Sequence, residues 1–145
     1  MKRTTTVLVV EDNDRDFEII AGTLEEAGFE HAVVQIASGE ECRDYLREDQ
    51  HLPELLILDL NLPGLDGRDL LAEIKTDPRL AMIPVVVMTT SSNPRDAAFC
   101  YRYGVSSYHM KPLKLADFRH AVRVIAEFWL RLAVLPSSLA LDASG

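Results

Sequence analysis

The residues from Leu55 to Gly67 read LLILDLNLPGLDG, and this stretch decides the fold. Four apolar residues, Leu55 to Leu58, run unbroken into Asp59. A run of that kind suits a strand buried on both faces of a parallel sheet. Asp59 then stands at the carboxyl end of the strand, where open α/β sheets bind their ligands. Pro63-Gly64 marks a tight turn, and Asp66 caps a following helix whose inner face is Leu70, Leu71 and Ile74.

Outward from this stretch the same pattern recurs. Residues 7–10 form an apolar, β-branched run that ends in Glu11-Asp12-Asn13-Asp14. Asn13 or Asp14 caps a helix that turns Phe17, Ile20, Ala21 and Leu24 inward, and Gly28 ends it in a left-handed conformation. Ala32–Ile36 is a second strand, and Ser38 with Glu41 forms a capping box for a short helix. Residues 84–88 are a further strand, ending in Thr89-Thr90-Ser91-Ser92. Asn93-Pro94 opens the next helix and Gly104 stops it. Ser107–Met110 is a short fifth strand leading into Lys111-Pro112, and a long helix is expected from Leu115 to about Leu135. Five strands alternating with five helical patterns predict a doubly wound α/β fold with a five-stranded parallel sheet. Residues 1–135 are expected to form one domain and residues 136–145 a tail.

Composition narrows the function classes. With 48% apolar residues the chain can build a core, which argues against disorder. A net charge of −8 disfavours direct nucleic-acid binding and suits a divalent cation or a basic partner. No apolar run approaches the roughly 20 residues of a membrane span. The two cysteines, Cys42 and Cys100, lie in expected helices without ligand-like spacing, which suits free thiols in a cytoplasmic setting.

A parallel sheet brings Glu11, Asp12, Asp59, Thr89 and Lys111 to one edge. Clustered carboxylates repel unless a cation is present, and an all-oxygen donor set favours Mg²⁺ or Mn²⁺ over zinc. A carboxylate can also accept a phosphoryl group, whose oxygens Lys111 and Thr89 could then bind.

These motifs resemble the receiver domain of two-component response regulators, the chemotaxis-receiver-like family. The residues that carry the resemblance are VLVVEDN, LLILDLNLPGLDG, PVVVMTTSS and YHMKP, in that order. The resemblance implies a flavodoxin-like fold with strand order 2-1-3-4-5. It implies Asp59 as phosphoacceptor, Asp12 as direct metal ligand, Glu11 acting through water, and Asn61 giving its backbone carbonyl. It further implies Thr89 as switch hydroxyl with Thr90 beside it, Tyr108 as switch aromatic, and Lys111 as phosphate-binding lysine on a cis Lys111–Pro112 peptide. Ser91 falls at a position that tunes dephosphorylation in such domains. Glu127-Phe128-Trp129-Leu130, Leu135-Pro136 and the TTS after the fourth strand are similar to the stand-alone regulators that serve phytochrome histidine kinases. A phosphoryl-accepting switch without an output domain is therefore expected, with a sensor histidine kinase, by this resemblance of phytochrome type, as partner and no enzymatic role beyond its own phosphorylation and slow dephosphorylation. The rivals are a phosphate-independent interaction module and an aspartate-nucleophile phosphohydrolase. The latter wants a second carboxylate where Asn61 stands.

The last helix carries more apolar surface than a sheet can cover. Phe118, Val122, Ile125, Trp129 and Leu132 define one face, while Ala121, Val124 and Phe128 form a second stripe. Leu130, Val134, Leu135 and Leu139 extend it. This excess, with the resemblance, predicts a homodimer involving Tyr101, Arg102, Val124, Phe128 and Leu135.

Overall fold

The apolar runs pair side by side because each can bury both of its faces. A computed structural model of the chain describes residues 5–48 and 51–136. It contains β1 (Thr6–Val10), α1 (Asp14–Glu26), β2 (Ala32–Ile36), α2 (Gly39–Glu48), β3 (Leu55–Leu58), α3 (Gly67–Thr76), β4 (Val85–Thr89), α4 (Pro94–Arg102), β5 (Ser107–Met110) and α5 (Leu115–Glu127). The strands form one parallel sheet in the order β2-β1-β3-β4-β5.

Alternate residues of each central strand enter opposite cores, which is why their sequences show no polar alternation. Leu8, Val10, Leu56, Leu58, Val85 and Val87 pack towards α2, α3 and α4. Val7, Val9, Leu55, Ile57, Val86 and Met88 pack towards α1 and α5. The caps follow the expected chemistry. Asn13 accepts from Asp16 N, Asp66 from Arg68 N and Asn93 from Arg95 N, at 3.0, 2.8 and 3.0 Å. Gly28 and Gly104 both take positive φ where α1 and α4 end.

The end of α5 departs from expectation. The α-helix stops at Glu127, and Phe128–Leu132 forms one π-helical turn closed by Ala133 N donating to Phe128 O at 2.7 Å. The wider turn shifts the phase of the apolar stripe. Leu132, expected against the sheet, is exposed, while Leu130 packs on the core beside Trp129. Arg131 turns back to α1, donating to Ala27 O at 2.8 Å and lying 3.9 Å above the Phe29 ring. Leu135, expected as interface surface, is buried at 5% exposure and offers none. Val124 and Phe128 do remain about half exposed, as expected. Leu139 lies outside the described residues. The Lys111–Pro112 peptide is trans, contrary to the cis form that the resemblance implied.

One close contact fixes the frame around Asp59. Gly67 N donates to Leu60 O at 3.0 Å, which seats the start of α3 directly on the β3 exit. A Cβ at Gly67 would lie 2.5 Å from both Asp59 O and Leu60 Cα, backbone atoms that cannot swing aside. Gly67→Ala is therefore expected to lose about 1–3 kcal/mol of stability, measured by denaturant unfolding. An unchanged midpoint would refute this account of the packing.

Candidate phosphoryl-acceptor site

Backbone bonds carry the sheet one residue past its strands. Glu11 N donates to Ile36 O, Asp59 N to Val10 O and Lys111 N to Thr89 O, at 2.9, 3.0 and 2.8 Å. These bonds aim Glu11, Asp59 and Lys111 from a rigid edge into one crevice. Oxygens of Glu11, Asp12 and Asp59 lie within 4.8 Å of one another. Glu11 and Asp59 are 2% and 7% exposed, whereas Asp12 faces solvent.

The Lys111 ammonium is the hub. Its Nζ donates to Glu11 Oε1 at 2.5 Å, Asp16 Oδ2 at 2.9 Å and Asp59 Oδ2 at 3.0 Å. Burial alone would lower its pKa, but the bonds to Glu11 and Asp16 and the nearby carboxylate charges outweigh it and hold the lysine charged. Burial pushes the Glu11 carboxyl from 4.5 up to about 7, reinforced by the Asp59 charge and opposed by the Lys111 ammonium. The Lys111 ammonium does not by itself neutralise these carboxylates, so the crevice retains an attraction for positive charge.

That donor set fits a divalent cation. All candidate ligand atoms are carboxylate oxygens, two of the three carboxylates are buried, and Asp12 leaves an open side towards water. Asp59 is further oriented by Asn61 N, which donates to its Oδ1 at 3.2 Å. Thr89 is fully buried at the end of β4, and its Oγ1 accepts from Ser91 N at 3.3 Å. Thr90 is exposed beside it. Tyr108 is half-buried, with its hydroxyl donating to Ser91 O at 3.3 Å and its N donating to the Tyr101 hydroxyl at 3.2 Å.

Residues 7–123 match the family described as response regulator receiver domain. The chain belongs to that family. Receiver-domain response regulators are phosphorylation-based signalling switches of two-component systems, and they bind Mg²⁺ or Mn²⁺ at an acidic pocket. Among curated relatives, the chain is 39% identical over 128 residues to "Probable methanogenesis regulatory protein FilR2" of Methanothrix harundinacea, covering 86% of this chain and 83% of that one. It is 37% identical over 137 residues to response regulator Rcp1 of Synechocystis, covering 91% and 93%. Among solved structures it is similar to the phosphorylated cyanobacterial phytochrome response regulator RcpA. There the TM-score is 0.88 at 41% identity, over 92% of this chain and 99% of that chain. Rcp1 has also been solved with Mn²⁺ bound, and that structure aligns with a TM-score of 0.87 at 36% identity, over 91% of this chain and 99% of the other.

Reasoning from sequence brought Glu11, Asp12, Asp59, Thr89 and Lys111 to one edge, and the structure gathers them there. It missed Asp16, whose only signal was an acid in the first turn of the helix that follows the acidic loop. It also missed Arg68 and Asp96, which bond across α3 and α4 at 2.6 and 2.7 Å.

The raised pKa of Glu11 has a sign. Its folded value lies above the unfolded one, so its contribution to stability is complete below about 4.5 and fades as pH rises through about 7. Metal-free protein is expected to lose on the order of 1–3 kcal/mol across that window, and Glu11→Gln to lose much less. Thermal unfolding from pH 4.5 to 8 in chelator reads this directly. Parallel profiles for the two proteins would contradict it.

Proposed function

We propose that Asp59 accepts a phosphoryl group from the phosphohistidine of a sensor histidine kinase. The observation that carries this reading is the placement of Asp59 at the exit of β3, with Glu11 and Asp12 oxygens within 4.8 Å and Lys111 Nζ at 3.0 Å. An Asp59 carboxylate oxygen attacks phosphorus and the nitrogen–phosphorus bond breaks. Its electron pair stays on the imidazole nitrogen. Lys111 binds a phosphoryl oxygen and offsets its charge, and the Thr89 hydroxyl donates to another. Asp12, Asp59, the Asn61 carbonyl and, through water, Glu11 would hold Mg²⁺ or Mn²⁺, which supplies charge neutralisation at the phosphoryl group. Water later attacks phosphorus, breaks the bond to Asp59 and releases inorganic phosphate. Between these steps Thr89 and Tyr108 bias two conformations of the β4–α4 segment.

Likeness to RcpA supports a phytochrome-type kinase as donor, and the buried free thiols of Cys42 and Cys100 suit the reducing cytoplasm. The test uses acetyl phosphate with and without Mg²⁺, read by intact mass and peptide mapping. A metal-dependent phosphoryl adduct at Asp59, absent from Asp59→Asn, is expected. A stable adduct on the Asn variant would overturn the assignment.

A second reading concerns self-association. Tyr101, Val124 and Phe128 are each about half exposed, Leu132 and Val134 still more so, and Arg102, next to Tyr101 in α4, is exposed as well. So much apolar surface along α4 and α5 supports a homodimer centred on Tyr101, Arg102, Val124 and Phe128, without Leu135. Sedimentation at about 100 μM should find wild-type dimer and Phe128→Asp monomer, a concentration that populates even a roughly micromolar interface. A monomeric wild type would rule the dimer out.

A further inference from the structure

We propose that Arg68 and Asp96 form a latch that holds the Ser91 hydroxyl, and with it the β4–α4 loop, in the position it takes without a phosphoryl group. Phosphoryl capture then requires the Ser91–Asp96 bond to break. The proposal rests on Asp59 being the phosphoacceptor.

Ser91 is tied through every polar group it has. Its N–H donates to Thr89 Oγ1 at 3.3 Å, and its carbonyl accepts from the Tyr108 hydroxyl at 3.3 Å. Its hydroxyl accepts from Asn93 N at 3.3 Å and donates its proton to Asp96 Oδ2. The first three are long, neutral bonds, whereas the fourth is charge-assisted and so the strongest. The loop is therefore gripped loosely on the side of Thr89 and Tyr108 and firmly on the side of Asp96.

Asp96 is itself immobilised. It lies in the first turn of α4, only 8% exposed. Arg68 grips both of its oxygens, Nε to Oδ1 at 2.6 Å and Nη2 to Oδ2 at 2.7 Å. Arg68 is braced in turn by Asp66, whose two oxygens each lie 3.0 Å from Nη1. Bonds to Arg68 and Ser91 lower the Asp96 carboxyl to about 2, so it stays an anion. Arg68 follows Gly67, which sits on the Asp59–Leu60 backbone. The anchor of the latch is thus fixed to the frame that carries Asp59.

A phosphoryl group on Asp59 adds a second anion that draws on the Thr89 hydroxyl, the group to which Ser91 N is bonded at 3.3 Å. That anion, through Thr89, and Asp96, through the Ser91 hydroxyl, then pull the loop from two sides. A bond present in only one of two states opposes the transition by its full worth. Arg68 and Asp96 are in this sense positioning residues that set how readily the phosphorylated form is populated.

Beryllofluoride with Mg²⁺, a phosphoryl mimic, is titrated calorimetrically into the full chain, its Ser91→Ala and Asp96→Asn variants and the double variant. Ser91→Ala leaves the Arg68–Asp96 pair in place, so it guards against a folding defect in Asp96→Asn. Both single variants are expected to bind about tenfold more tightly, the double variant no more tightly than either, and ligand-free Tm to fall. A merely structural role would lower Tm without tightening. Unchanged or weaker binding in Ser91→Ala overturns the latch alone, while a wild type blind to beryllofluoride overturns the phosphoacceptor reading with it.

Discussion

One ammonium among several carboxylates is the constraint on which the molecule turns. Lys111 touches Glu11, Asp16 and Asp59, contributed by β1's exit, α1's first turn and β3's exit. Removing a buried partner of this kind leaves uncompensated charge, which costs far more than a surface pair is worth. The cluster therefore needs the strand exits to be aligned, and the ladder bonds beyond the strands align them. Its remaining negative charge is what would draw a divalent cation to the site: stability alone would favour a balanced or apolar edge.

The two faces of the sheet serve this edge differently. The core under α1 and α5 is closed by the capping of α1 and the stacking of Arg131 on Phe29, at the end of the sheet remote from Asp59. On the other face, α3 and α4 meet through the Arg68–Asp96 pair close to the site. Hydrophobic packing fixes where the helices lie. Charged and hydrogen-bonded contacts, which are directional and can be exchanged, hold the loop between β4 and α4.

Much of this was legible in the residues alone. Leu55–Leu58 and its neighbouring runs gave away a sheet buried on both faces, and Asn13, Asp66 and Asn93 marked helix starts through a local chemistry that needs no tertiary context. Pairs far apart in sequence were another matter. Nothing near Asp16 signals that it will meet Lys111, 95 residues away, and Arg68 and Asp96 look like ordinary surface charges until α3 and α4 are set side by side. The π-helical turn was hidden because the apolar pattern of residues 128–135 suits more than one helical phase. Leu135 looked like free surface since periodicity reports a face and not what folds back upon it.

That turn of wider pitch also makes the end of the last helix a dial with discrete settings. Phe128–Leu132 holds one residue more than an α-helical turn would. Dropping that residue would rotate the residues that follow it, as far as Pro136, by about 100°. Leu132 would move to the side that Arg131 now takes, and Arg131 would swing off Phe29. A single codon's gain or loss could thus redraw the outer surface of the domain while leaving Asp59, Lys111 and the sheet edge untouched.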